Sequence, residues 1–348
     1  MTVLPRRVLA GLGVEVSAIG AGCWTIGGPA TNNNVPIGWD RVDPDAALAG
    51  LHHAHDLGVT LYDTADVYGL GRSERLLGRL LSTIDRTTVT VSSKVGYFAG
   101  TSRHPYTPAQ IRHQFATTLD NLGTDYLDIY HLHSTDFGPH DQHLKPALDV
   151  IHHLRDRGQI RAIGIRAPHT FAAQWATTST SQGAEAARFL HLFHTIRPDI
   201  LTVRYNLLSP LYQPDETDIF TLARHHRVGV VIKQALAQGL LLTPPHQSRP
   251  RFTEGDHRSR DPLFQPAALA ALRQRLAPLR ERFGSSPGDL ARVALRYALH
   301  HAPDSPVLVG FRDADQIHTT ITSLGPPLTT DELTDIRNLL QPPVVRKA

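Results

Sequence analysis

The chain has 348 residues, 41% apolar and 19% charged, with a formal net charge of only +3. That length and apolar content support one full core and exclude a disordered chain, and the small net charge offers no nucleic-acid surface. One cysteine, Cys23, excludes an internal disulfide, no run of eighteen apolar residues exists, and the N-terminus lacks a signal-peptide-like apolar stretch; the expectation is a cytoplasmic protein without a membrane partner.

In chain order, Val8 to Val16 reads as a small hairpin around Gly11-Leu12-Gly13, followed by a short glycine-rich strand, Ala18 to Gly22. A long loop with Trp24, Gly27-Gly28 and Trp39 leads to Asp43-Pro44, a cap followed by proline that opens a helix to about Leu57. Strands are predicted at 59–62, 88–92, 127–132, 160–165, 200–204, 229–233 and 306–310. Helices are predicted at 73–82, 108–122, 142–157, 215–226, 266–283, 287–301, 313–323 and about 330–340. The segment 168–197 reads as helical with one break. The arginine-rich stretch 244–262 reads as a lid rather than a linker.

Eight short, apolar strands after the hairpin, each followed by helix, predict a closed (β/α)8 barrel over residues 1–348 as one domain, with an N-terminal hairpin and extra C-terminal helices. An open doubly wound sheet fits less well, because no glycine triplet of the right spacing joins the first strand to its helix. Barrel sites sit at the strand C-terminal ends. Three successive strands end in Asp63, Lys94 and His133, and Tyr68 lies in the turn after Asp63. An ammonium beside a phenol would favour the phenolate and lower its pKa, with Asp63 orienting Lys94 and His133 either binding a substrate oxygen or sharing in the proton transfer. The alternative is a structural Asp63–Lys94 ion pair with Tyr68 as a packed turn residue. His131, two residues deeper on its strand, reads as a barrel-lining side chain. The 21 histidines show no zinc-ligand spacing, and no metal is expected.

The run from Gly58 to Gly78, with Asp63-Thr64-Ala65-Asp66-Val67-Tyr68-Gly69 at its centre, resembles the aldo-keto reductase signature. So do Ser93-Lys94-Val95-Gly96, the run Leu122 to Tyr130, Gly158 to Gly164, Arg204-Tyr205-Asn206, Leu236 to Leu241 and Val309-Gly310-Phe311-Arg312. The stretch Phe252 to Arg260 is similar to bacterial members related to potassium-channel β-subunit-like reductases. The resemblance implies a tetrad of Asp63, Tyr68, Lys94 and His133 and a nicotinamide cofactor across the barrel mouth, NADP(H) by preference with NAD(H) possible. It implies that Gly310, Arg312 and Gln316 bind the adenosine end, where an arginine suits a 2′-phosphate. Arg249, Arg251, Arg258 and Arg260 are candidates to fold over the pyrophosphate.

Three departures fall in the nicotinamide pocket that the resemblance implies. Arg166-Ala167 stands where the family usually has Ser-Asn, Thr202 where it has Gln, and Lys233 where an aromatic stacks on the ring. Arg166, Thr202 and Lys233 are therefore expected to contact the cofactor, or the two cations an anionic substrate. Trp24, Tyr97, Phe98 and Phe137 are expected to wall the substrate space. The expected activity is NADPH-dependent reduction of an aldehyde or ketone. Two alternatives stand beside it: a cofactor-binding sensor or regulatory subunit, and a tightly bound-cofactor epimerase or dehydratase acting on a sugar-like substrate. The oligomeric state stays open.

Overall fold

The computed structural model describes residues 4–243 and 251–340. A two-stranded antiparallel hairpin, β1 (Arg6–Leu9) and β2 (Val14–Ser17), precedes the first barrel strand, β3 (Ile19–Gly22). A minimal ladder, β4 (Thr31–Asn32) with β5 (Val35–Pro36), lies in the long loop that follows. The remaining barrel strands are β6 (Leu61–Asp63), β7 (Thr90–Val95), β8 (Leu127–Leu132), β9 (Ile160–Arg166), β10 (Ile200–Arg204), β11 (Gly229–Lys233) and β12 (Val307–Gly310). They close in the order β3-β6-β7-β8-β9-β10-β11-β12, all parallel. The expected barrel and hairpin are both present.

The helices are α1 (Pro44–Asp56), α2 (Arg72–Leu81), α3 (Pro108–Leu122), α4 (Leu144–Asp156), α5 (Ser181–Ile196), α6 (Ile219–His225), α7 (Pro266–Phe283), α8 (Pro287–His301), α9 (Ala314–Thr322) and α10 (Thr330–Leu340). Their starts follow local chemistry. Asp43 accepts from the amides of Asp45 and Ala46 ahead of Pro44, and Ser286 with Asp289 forms a capping box that opens α8. Of the segment 168–197 expected to be helical with one break, a 3-10 turn at Ala173–Thr177 and α5 are helical, while 168–172 form a loop. No helix among the described residues is long and apolar enough to cross a membrane.

Side chains alternate along a strand, so residues two apart face the barrel interior together. Leu61, Ile129, Ala162, Ile200, Val231 and Leu308 form an apolar floor, and Leu9 and Val16 of the hairpin pack against it from below. The hairpin thus plugs the amino-terminal end of the barrel. Further along the same inward faces the character changes to Asp63, Lys94, His131, His133, Arg166, Thr202 and Lys233. Leu9 and Val16 make that end a closed apolar base, and chemistry is confined to the other end.

Candidate active site

β6 ends at Asp63, and the chain then makes a tight loop that presents Tyr68. The loop needs its glycines. Gly69 (φ 63°) lies so near Gly27 that a Cβ on it would run into the Gly27 carbonyl oxygen, and Gly71 (φ 84°) turns the chain into α2. A Cβ on Gly27 would in turn sit 2.7 Å from the Tyr68 carbonyl carbon, so the two loops fix each other. Beneath them Glu74 is fully buried and accepts from Ser93 Oγ (2.7 Å), Thr118 Oγ1 (2.9 Å) and Asn121 Nδ2 (3.0 Å), tying α2 to β7 and α3.

Lys94 Nζ donates to Asp63 Oδ1 at 2.6 Å and to the Thr64 carbonyl at 2.5 Å, and Ser92 Oγ donates to Asp63 Oδ2 at 3.0 Å. Both partners are buried. Burial alone would lower the Lys94 pKa, but Asp63 and Tyr68 more than reverse this, so the amine is held charged. The ammonium sits 4.6 Å from the centroid of the Tyr68 ring. One expectation is corrected here. The Tyr68 phenol is not lowered: burial pushes it up to about 12, and Lys94 offsets only part of that rise. The phenol is therefore protonated at neutral pH. His133 stands edge-on to Tyr68 (6.2 Å) and to Tyr97 (4.6 Å). Burial, then Lys94, Lys233 and Arg166, hold its pKa well below the usual histidine range, so the ring is neutral.

These four side chains line one cavity of about 880 Å3 at the carboxyl end of the barrel. Arg166, Thr202, Lys233, Gly310, Arg312, Gln316, Trp24 and Tyr97 line it too. Phe137 does not. It is buried and stacks on Tyr106 at 4.4 Å, because the loop after β8 folds back onto the β7–α3 connection; its expected role as a substrate wall is withdrawn. Phe98 also lies outside the lining. Of the loop arginines, Arg251 and Arg258 line the cavity, Arg260 does not, and Arg249 lies outside the described residues. Gln316 accepts from the Arg312 amide (3.1 Å), and Asp313 caps α9 through the Gln316 amide (2.8 Å).

The arginine-rich stretch read as a lid does reach the cavity, but the contacts that hold it gave no signal in the sequence. His257 packs its ring on Trp24 (4.2 Å) and Trp39 (4.9 Å) and bonds the Gly38 carbonyl (2.8 Å) and Gln238 Oε1 (2.7 Å). Arg258 pairs with Asp256 at 2.6 Å and covers the Trp39 ring at 4.1 Å. Residues 251–264 thereby form a strap across the cavity, tied to the loop after β3. Trp24 also stacks on Tyr68.

The lining carries Lys94, Arg166, Lys233, Arg251, Arg258 and Arg312 against only Asp40 and Asp63 among the described residues. This excess of cations fits a polyanionic ligand. The sequence matches the aldo/keto reductase family model over residues 18–341. The aldo-keto reductase YhdN of Bacillus subtilis is 26% identical, covering 96% of this chain and 92% of its own. The NADH-specific methylglyoxal reductase of Escherichia coli is 25% identical, with coverage of 94% and 96%. The structure of glycerol dehydrogenase AKR11B4 from Gluconobacter oxydans superposes with a TM-score of 0.70 at 25% identity, covering 96% of this chain and 94% of that one. The protein belongs to the aldo/keto reductase family, oxidoreductases that pair a nicotinamide cofactor with small-molecule carbonyl substrates.

Proposed function

We propose that the protein is an NADPH-dependent carbonyl reductase in which Tyr68 is the general acid. The observation that carries this reading is the buried Asp63–Lys94 pair set against a protonated Tyr68 at the cavity wall. A bound nicotinamide would supply the hydride to the carbonyl carbon. The chain's own residues govern the proton. Tyr68 gives its hydroxyl proton to the carbonyl oxygen, and the phenolate left behind is stabilised by the Lys94 ammonium, which Asp63 holds in place. The neutral His133 ring carries one N–H, which orients the same oxygen. Trp24, Tyr97 and the strap around His257 exclude water from the reacting atoms.

Arg166, Thr202, Lys233, Gly310, Arg312 and Gln316 would hold the cofactor, and Arg312 supports a preference for the 2′-phosphate of NADP(H). Asp40, 3.9 Å from Arg312, favours a second reading with NADH, since a carboxylate there opposes a phosphate and suits a free ribose hydroxyl. One relative is named for that specificity. A regulatory or epimerase-type role would leave bound cofactor without net consumption. Fluorescence titration with NADPH and NADH, followed by an aldehyde panel, tests the assignment. Tighter NADPH binding with aldehyde-dependent oxidation is expected. Tighter NADH binding overturns the cofactor preference, and binding of neither overturns the reductase reading.

A further inference from the structure

The proton transfer described above uses Asp63 and leaves the second carboxyl of the same loop, Asp66, without a task. Asp66 is buried inside the turn that presents Tyr68, which closes where the Tyr68 amide donates to the Ala65 carbonyl at 3.1 Å. Its Oδ1 accepts from the next amide, Val67, at 2.7 Å. Its Oδ2 is buried and has no hydrogen-bond partner among the described residues. Burial, then the neighbouring Glu74, holds this carboxyl well above the usual carboxylate range, and the Val67 amide and Lys94 offset only part of that rise.

A second unpartnered oxygen lies in the same layer. Tyr130 stands on the face of β8 that points away from the barrel interior, and the register sets it beside Ser93 of β7. Its ring packs edge-on to Phe115 of α3 at 5.2 Å, while its hydroxyl is buried and has no partner among the described residues. After burial, Asp66 is the strongest influence on this phenol, followed by Glu74. Glu74 is already served by Ser93, Thr118 and Asn121, so neither unpartnered oxygen completes its shell. Asp66 Oδ2 and the Tyr130 hydroxyl therefore lie near enough to act on one another and too far apart to bond directly. Unpartnered buried oxygens are rare, and a gap between two of them is where an internal water is held.

We propose that one internal water bridges Asp66 Oδ2 and the Tyr130 hydroxyl, and that this bridge anchors the turn of Tyr68 to β8, making Asp66 a positioning residue for the proton donor. The donors and acceptors match. A neutral carboxyl donates to the water, the phenol donates or accepts, and a water accepts two such bonds. The positioning role rests on the reductase reading above; the bridge itself does not.

The bridge is tested by denaturant unfolding of Asp66→Leu, Tyr130→Phe and the double variant. Each single change leaves the other oxygen buried without its partner, whereas the double change removes both, so the double variant should be no less stable than the weaker single one. Losses of stability that simply add would overturn the bridge. The positioning role is tested by kcat, aldehyde KM and NADPH Kd. Asp66→Leu should lower kcat by roughly ten- to a hundredfold, the effect of a misplaced reacting group, with KM and Kd within about threefold of native. Asp66→Asn keeps an acceptor for Val67 and a donor for the water, and should recover most of that loss. Native kcat in Asp66→Leu would overturn the positioning role. Asp66→Asn as slow as Asp66→Leu would do the same, by showing that a carboxylate charge is needed there. If Asp66→Leu does not fold, Tyr130→Phe carries the kinetic test, and a kcat equal to native overturns the role. A native protein that reduces no aldehyde removes the reductase reading, and the unfolding comparison still decides the bridge.

Discussion

Asp63 and Lys94 illustrate how a buried ion pair is held: each partner has a second contact, Ser92 for the carboxylate and the Thr64 carbonyl for the ammonium, so neither charge is left bare. His131, one layer below, has the opposite solution. It is buried, its Nδ1 has no hydrogen-bond partner among the described residues, and Gly164 makes room for its ring, since a Cβ there would run into Nδ1. Burial, followed by Lys94, pushes its pKa down to about 3 from 6.5. The unfolded chain therefore binds the extra proton between those values. Stability conferred by the neutral ring is complete above pH 6.5 and is lost progressively as pH falls toward 3, by roughly 1.4 kcal/mol per pH unit at most. His301, lowered to about 4 chiefly by burial, acts in the same window. Denaturant unfolding of His131→Gln should show a shallower loss of stability between pH 6.5 and 4 than the native protein. An unchanged slope would show that His131 is not buried neutral.

The strands and their terminal residues were legible because each couples an apolar run to a titratable end within a few residues. The strap was not. Gly38 and His257 are far apart in the chain, and nothing local to either marks the contact. Phe137 was misread for a related reason: an aromatic in a polar loop looks exposed until Tyr106, on another loop, takes its face. The net rise in the Tyr68 pKa was likewise hidden, because spacing reveals a neighbouring charge and not the depth of burial that outweighs it. The strap itself is testable. His257→Ala removes the bonds to Gly38 and Gln238 and the packing on Trp24 and Trp39. Limited trypsin digestion should then cut at Arg258 or Arg260 several-fold faster, with the barrel intact by circular dichroism. Cleavage at the native rate would mean that His257 does not hold the strap.

At the scale of the molecule, the barrel separates stability from chemistry. The hairpin and the apolar floor close one end, while the other end holds the cavity and the buried Asp63–Lys94 pair. The family match and the eight-stranded closure agree on this architecture. Within that cavity Arg166 and Lys233, at the ends of β9 and β11, face the Asp63–Lys94–Tyr68 group. The most direct measurement is single-turnover oxidation of bound NADPH by an accepted aldehyde in the native protein and in Tyr68→Phe. The account predicts that the variant binds NADPH within about threefold of the native Kd and loses turnover by roughly 10²–10⁴, the range for a positioned proton donor. Turnover within tenfold of native, at equal cofactor occupancy, would contradict the assignment of Tyr68 as the acid.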